Sequence, residues 1–297
     1  VGAIDRIVSA ALPAVPGFLV RSVGRRYVAG EGLDDALATV RDLRSGGLLA
    51  TVDVLGEEVR EPAAADRAVR EYMRLARALA GTDATISIKP TLMGLRIGED
   101  LARENLDRVF SAAARGSVLV QLDMEDHTTT DATLRLFHAM RGEHGNAGAV
   151  LQARLHRTWD DVRSLAEAGA AIRLCKGIYP ENEAIAFRDP DEIRASYVRS
   201  LEALLGAGSY AGIATHDDAL VDAARDLVER LGIPAGGYEF QMLLGVRPEL
   251  GRALVTEGRT VRIYVPYGAD WEAYCVRRLR ESPEIAGHVL GALLGGQ

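Results

Sequence analysis

The feature that most constrains this chain is an alternation repeated along almost its whole length. A short apolar run rich in β-branched residues gives way to a loop and then to an amphipathic helical stretch. Strand candidates fall at 48–55, 85–88, 118–122, 149–152, 171–175, 212–215, 238–241 and 261–264. Helical stretches lie between them at 66–80, 99–115, 130–141, 159–168, 191–205 and 218–231. Such alternation implies parallel strands joined by helical crossovers, and eight units of this kind close naturally into a barrel. The expected fold is α/β, a (β/α)8 barrel of the TIM type with extra N-terminal helices; a doubly wound open sheet is the alternative. Residues 34–44 form an acidic-headed helix that stops at Gly46-Gly47, a C-cap signal. Residues 1–46 are therefore expected to be a helical segment packed on the barrel, and 47–297 the barrel itself.

Charge and cysteine content narrow the function. A formal net charge of −7 with no basic tract argues against nucleic-acid binding. Two cysteines, Cys175 and Cys275, make neither a disulfide framework nor a metal cluster, which fits a reducing, cytoplasmic setting. The apolar stretch 7–20 is interrupted by Pro13 and Pro16, and no apolar run reaches spanning length. Of the 35 Lys plus Arg, only Lys89 and Lys176 are lysines. A lysine kept against so strong an arginine preference points to a place that needs a compact ammonium.

A β/α barrel gathers its active site at the C-terminal ends of its strands. Those ends carry Asp53, Lys89, Asp123, Gln152, Arg173 with Lys176, Thr215 with His216, Glu239 with Gln241, and Tyr264. Nearly every strand thus offers a polar or ionisable group to one rim. Singly, each has a plainer reading: Asp53 as a turn cap, Thr128 to Thr130 as a helix start, His216 as a loop histidine bonded to backbone. The histidines show no zinc-ligand spacing, and neither a G-x-S-x-G elbow nor a strand-borne G-x-G-x-x-G occurs. A dinucleotide on the rim stays open, because Arg173-Leu-Cys-Lys176-Gly-Ile-Tyr179 offers two cations and a Gly177 that lets a ligand approach backbone. The loop 179–189 is long enough to serve as a lid.

The last strand, Arg262-Ile-Tyr-Val, is read as broken by Pro266-Tyr-Gly268, with Asp270 capping the helix that follows. On that helix Tyr274, Arg277, Arg278 and Glu281 share one face. An aromatic ring beside two guanidinium groups suits a small carboxylate with an apolar body. Taken alone, the same face reads more as a solvated basic surface than as a site.

Six segments in order resemble the proline dehydrogenases, flavin-dependent enzymes, in their monofunctional bacterial form. They are Ser87-Ile-Lys89, Leu122-Asp-Met-Glu-Asp126, Arg173-Leu-Cys-Lys176-Gly-Ile-Tyr179, Ala214-Thr-His216, Tyr238-Glu-Phe-Gln-Met-Leu243, and the last strand with its Arg277-Arg278 pair. The resemblance implies a distorted β/α barrel with FAD on its rim. It implies oxidation of L-proline to Δ1-pyrroline-5-carboxylate, the first step of proline catabolism, with hydride going to flavin N5 and electrons on to a quinone. By resemblance, Arg277 and Arg278 clamp the proline carboxylate, Lys89 also reaches it, and Glu281 tethers the arginine pair. Tyr264, Tyr274 and Leu243 pack around the proline ring, and Asp123 holds Lys89 or an arginine in place. Met124, Gln152, Arg173, Lys176, Gly177, Ile178, Thr215 and His216 fall at flavin-contacting positions. Asp123 and Arg173 stand closest to the chemistry, Arg173 stabilising negative charge on the reduced ring.

Pro90, Ile178 and Pro180 depart from the family pattern without removing a charge, and Ile178 replaces a more usual alanine. A quinone acceptor implies access to a bilayer surface, peripheral at the inner face of the cell membrane. The stretch 283–294 could dock there, or pack on the barrel or on a neighbouring subunit of a homo-oligomer. Two other readings compete: a lyase or aldolase using Lys89 or Lys176 as a Schiff base, and a barrel that binds a ligand without catalysis.

Overall fold

The computed structural model describes residues 26–271 and residue 274. Eight parallel strands close in chain order. They are β1 (Leu49–Val54), β2 (Thr85–Ile88), β3 (Val120–Leu122), β4 (Ala147–Gln152), β5 (Ala171–Cys175), β6 (Ala211–Ala214), β7 (Tyr238–Leu243) and β8 (Val261–Tyr267). The ring is completed by β8 on β1, with Thr51 opposite Tyr264 and Asp53 opposite Pro266. The open-sheet alternative is thereby excluded.

Helix α1 (Leu33–Ser45) precedes β1 and packs on β1 and β8. Helices α2 (Pro62–Ala78), α3 (Glu99–Ala114), α4 (Thr130–His144), α5 (Thr158–Glu167), α6 (Pro190–Gly206), α7 (Asp218–Arg230) and α8 (Pro248–Thr256) follow β1 to β7 in turn. Their ends obey local chemistry. Proline opens α2, α6 and α8, where its missing N–H costs nothing. Asp189 and Asp217 cap α6 and α7 by accepting backbone N–H groups.

Polar residues of the strands share one phase of the two-residue alternation, as with Thr51 and Asp53, Thr85 and Ser87, or Arg262 and Tyr264. The other phase, including Val52, Ile86, Ile172, Phe240 and Ile263, is buried and apolar. Bonds between distant strands show that the polar phase points inward. Arg173 on β5 reaches residues of β2, β3 and β7, which only the lumen permits. Three buried acid–base pairs fill it: Asp53 with Lys89, Asp123 with Arg173, and Glu239 with Arg262. Each buried charge has a partner, the condition under which such charges are tolerated.

Two sequence expectations change. Glu239 lies low in the barrel, not at the rim, because its partner Arg262 donates to the carbonyls of Ala50 and Asp83 at the opposite end. Gln241, bonded to Glu239 and to Arg173, is likewise an interior residue. Strand β8 also runs on through Pro266 to Tyr267. The Pro266 carbonyl accepts from Ala29 N at 2.9 Å, on the side where the β7 ladder has already ended at Leu243 opposite Tyr264. The missing N–H of proline therefore breaks no ladder bond.

Candidate active site

The upper barrel is organised around two of the paired cations. Lys89, just beyond β2, donates to Asp53 Oδ2 at 2.8 Å. Asp53 is fully buried, and Tyr72 of α2 donates to its Oδ1 at 3.1 Å and to the carbonyl of Ser87 at 3.0 Å. Burial pushes the Asp53 pKa up, Lys89 pulls it back, and Asp123 adds a second upward push, so the net shift is upward. Burial also works against the Lys89 charge, but Asp53, Asp123 and Glu125 outweigh it and keep the ammonium charged well beyond the usual range.

Arg173 is the second centre. Its Nε donates to Gln241 Oε1 at 2.6 Å, its Nη1 to Ser87 Oγ and Asp123 Oδ1 at 2.9 Å each, and its Nη2 to Gln121. Ser87 Oγ in turn donates to Asp123 Oδ1 at 2.7 Å. Tyr264 donates to Asp123 Oδ2 at 3.1 Å, and its ring lies 5.4 Å from the Arg173 guanidinium carbon. Burial above all, then the neighbouring carboxylates Asp123 and Asp53, holds the Tyr264 phenol protonated. Asp123 thus fixes an arginine and a tyrosine, whereas Lys89 belongs to Asp53. The turn-cap reading of Asp53 is set aside by this geometry.

The other predicted positions differ in burial and in partners. Met124, Gln152 and Thr215 are buried, His216 and Leu243 half-buried, and Ile178 is 44% exposed. Leu243 N donates to His216 Nε2 at 2.9 Å, which places the ring proton of a neutral His216 on Nδ1. His216 is therefore a backbone-bonded histidine at the rim. Lys176 donates to Asp217 Oδ2 at 3.0 Å, and Arg194 donates to the same oxygen at 2.9 Å. Gly177 has φ +95°, and a Cβ there would sit 2.9 Å from Gln152 Oε1. The positive φ and the close approach of Gln152 account for glycine here without any ligand. Tyr274 is buried; Arg277, Arg278 and Glu281 lie outside the described residues.

The loop after β5 is pinned, unlike a loose lid. Arg154 donates to the Tyr179 carbonyl at 2.7 Å, and Phe187 N to the Arg154 carbonyl at 2.9 Å. Glu181 accepts from His127 N at 2.8 Å and bonds its Nδ1 at 2.5 Å. Sequence reasoning missed Tyr72, Ser87 and Gln121 as network members. For Ser87 and Gln121 the available signal was the period-two polar phase of β2 and β3.

The fold and its charged upper lumen can be set beside known proteins. A family model for proline dehydrogenase matches residues 36–289. The chain belongs to the proline dehydrogenase family. Proline dehydrogenase 1 of Bacillus subtilis subsp. natto is 37% identical over 272 residues, covering 91% of this chain and 90% of that protein. The Deinococcus radiodurans proline dehydrogenase is 37% identical over 282 residues, with 93% and 91% covered. Among solved structures, proline utilization A from Bdellovibrio bacteriovorus, inactivated by N-propargylglycine, superposes with a TM-score of 0.82 at 26% identity. That match covers 89% of this chain but 33% of the other, so this chain corresponds to about a third of the longer protein. As a proline dehydrogenase the protein is an oxidoreductase acting on the CH–NH bond of L-proline, the first step of proline catabolism. The Schiff-base and non-catalytic readings are set aside. Among the described residues no helix is long and apolar enough to cross a membrane.

Proposed function

We propose that the enzyme oxidises L-proline to Δ1-pyrroline-5-carboxylate with FAD held over the ends of β4, β5 and β6, and that a quinone receives the electrons. The observation that carries this reading is the Asp53–Lys89 pair standing beside the Arg173–Asp123–Tyr264 cluster. The donor set suits an anionic, polar cofactor: β5 and its end supply the buried Arg173 guanidinium and the half-exposed Lys176 ammonium, with Gly177 against Gln152 next in the chain. Bound there, a flavin supplies a two-electron acceptor for the hydride that leaves the proline ring.

The chain's own residues do the positioning. Lys89, kept cationic by Asp53, meets the substrate carboxylate, together with Arg277 and Arg278 as the family resemblance assigns them. Tyr264 offers its ring to the apolar body of proline while its hydroxyl stays on Asp123. Asp123 and Ser87 hold the Arg173 side chain in one rotamer, so its charge is preorganised where negative charge develops. Tyr274, Leu243 and Glu281 complete the substrate side; Met124, Ile178, Thr215 and His216 the cofactor side. Proline analogues that lack the carboxylate are expected to lose binding by tens- to thousands-fold, as inhibition constants would show. Retained affinity would contradict the role of Lys89. The quinone claim is checked separately by comparing turnover with a quinone and with an artificial dye.

A further inference from the structure

Glu125 follows Met124 beyond β3 and takes no part in the network around Arg173, yet it is buried and fully engaged. Its Oε2 accepts from Thr91 N at 2.9 Å and its Oε1 from Thr91 Oγ1 at 2.5 Å. Thr91 is itself fully buried and stands two residues beyond Lys89. Between them Pro90 fixes φ, and the Lys89 carbonyl accepts from Leu92 N and Met93 N at 3.1 and 3.3 Å. Lys89 thus heads a tight turn whose anchor is Glu125. Thr91 Oγ1 also accepts from Glu58 N at 2.9 Å, which ties the loop after β1 to the same point. On its other side, the Glu125 carbonyl accepts from Gln152 Nε2 at 2.7 Å. Gln152 is the side chain against which Gly177 packs. One residue therefore fastens the turn of Lys89 to the wall made by Gln152 and Gly177.

We propose that Glu125 is a positioning residue for the reaction: through Thr91 it sets where Lys89 stands relative to the Gln152–Gly177 wall. The inference rests on the assignment of Lys89 to the substrate carboxylate. The charged groups facing Glu125 are Lys89 and Glu57. In the adjoining loops Arg96 is bonded to both Glu58 and Asp126. Burial pushes the Glu125 carboxyl up to about 7, although the Thr91 donors and Lys89 oppose it. Both Thr91 donors need an acceptor, and an amide nitrogen cannot serve either of them.

The test compares holoenzyme variants by flavin content, thermal midpoint, kcat and KM for L-proline across pH. Glu125→Gln is expected to raise KM about ten-fold or more, with flavin content unchanged and the ionisation near neutral pH gone from kcat/KM. Thr91→Val, which loses the hydroxyl alone, moves KM the same way by less, and Thr91→Ser restores it. Lys89→Met run in parallel separates the carboxylate role of Lys89 from the positioning role of Glu125. Unchanged KM in Lys89→Met sinks the carboxylate assignment and the proposal with it. Raised KM in Lys89→Met, with wild-type KM and pH profile in flavin-loaded Glu125→Gln, overturns the positioning role alone. A lowered thermal midpoint without a KM change also overturns it. If Glu125→Gln yields no folded protein, the KM of Thr91→Val decides instead: a raised value supports the positioning role and a wild-type value overturns it.

Discussion

Asp53 sits at zero exposure between the Lys89 ammonium at 2.8 Å and the Tyr72 hydroxyl at 3.1 Å. Removing one member of such a pair leaves the other charge uncompensated, which typically costs about 3–5 kcal/mol. Lys89→Met is therefore expected to destabilise the protein by that order at pH 8. The loss shrinks at pH 5, because Asp53 already has a raised pKa and can take up a proton once its partner is gone. Urea unfolding at the two pH values measures both parts. Glu125 gives a second pH signature. Its folded pKa of about 7 lies above the reference 4.5, so the native state binds the extra proton in that interval. Its contribution is full below about 4.5 and is lost as pH rises through 7. The swing is at most about 3 kcal/mol. Unfolding free energies collected from pH 4.5 to 8 are expected to fall less steeply with pH in Glu125→Gln than in the wild type.

At the scale of elements, the barrel interior depends on where small residues sit beside large polar ones. Gly212 of β6 faces Gln241, whose Nε2 would lie 2.6 Å from a Cβ placed there. Gly212→Ala is expected to push Gln241 off Arg173 Nε and destabilise the fold by about 1–3 kcal/mol; a thermal melt with Tm unchanged would contradict this. The loop after β5 offers the complementary case. Glu181→Ala removes both contacts to His127 and is expected to speed proteolysis within 179–189 while leaving the barrel's Tm nearly unchanged. Much of this layer is legible in the sequence. Apolar runs mark the strands, and Lys89, Asp123 and Arg173 stand out by their place at or near strand ends. Two things are not legible. The break expected at Pro266 rests on the missing N–H, and only the ladder shows that this N–H would have faced no strand. The pairing of Lys89 with Asp53 rather than Asp123 joins residues 36 positions apart, a choice decided by barrel register and not by local pattern.

For the molecule as a whole, closure of the barrel turns scattered polar positions into one charged lumen. Asp53–Lys89, Asp123–Arg173 and Glu239–Arg262 come from six different strands or strand ends. No single stretch of sequence announces that arrangement, although its alternation is there to be read in β1, β2 and β8. One cation of the lumen, Lys89, is the group proposed to meet the substrate carboxylate. The second, Arg173, is held among Ser87, Gln121, Asp123 and Gln241. The most direct test is an anaerobic titration of the purified protein with L-proline, followed by its visible spectrum and by assay of the product. Loss of the oxidised flavin band in step with one equivalent of Δ1-pyrroline-5-carboxylate per flavin is the expected result. A protein that binds flavin yet keeps its spectrum unchanged at saturating L-proline would contradict it.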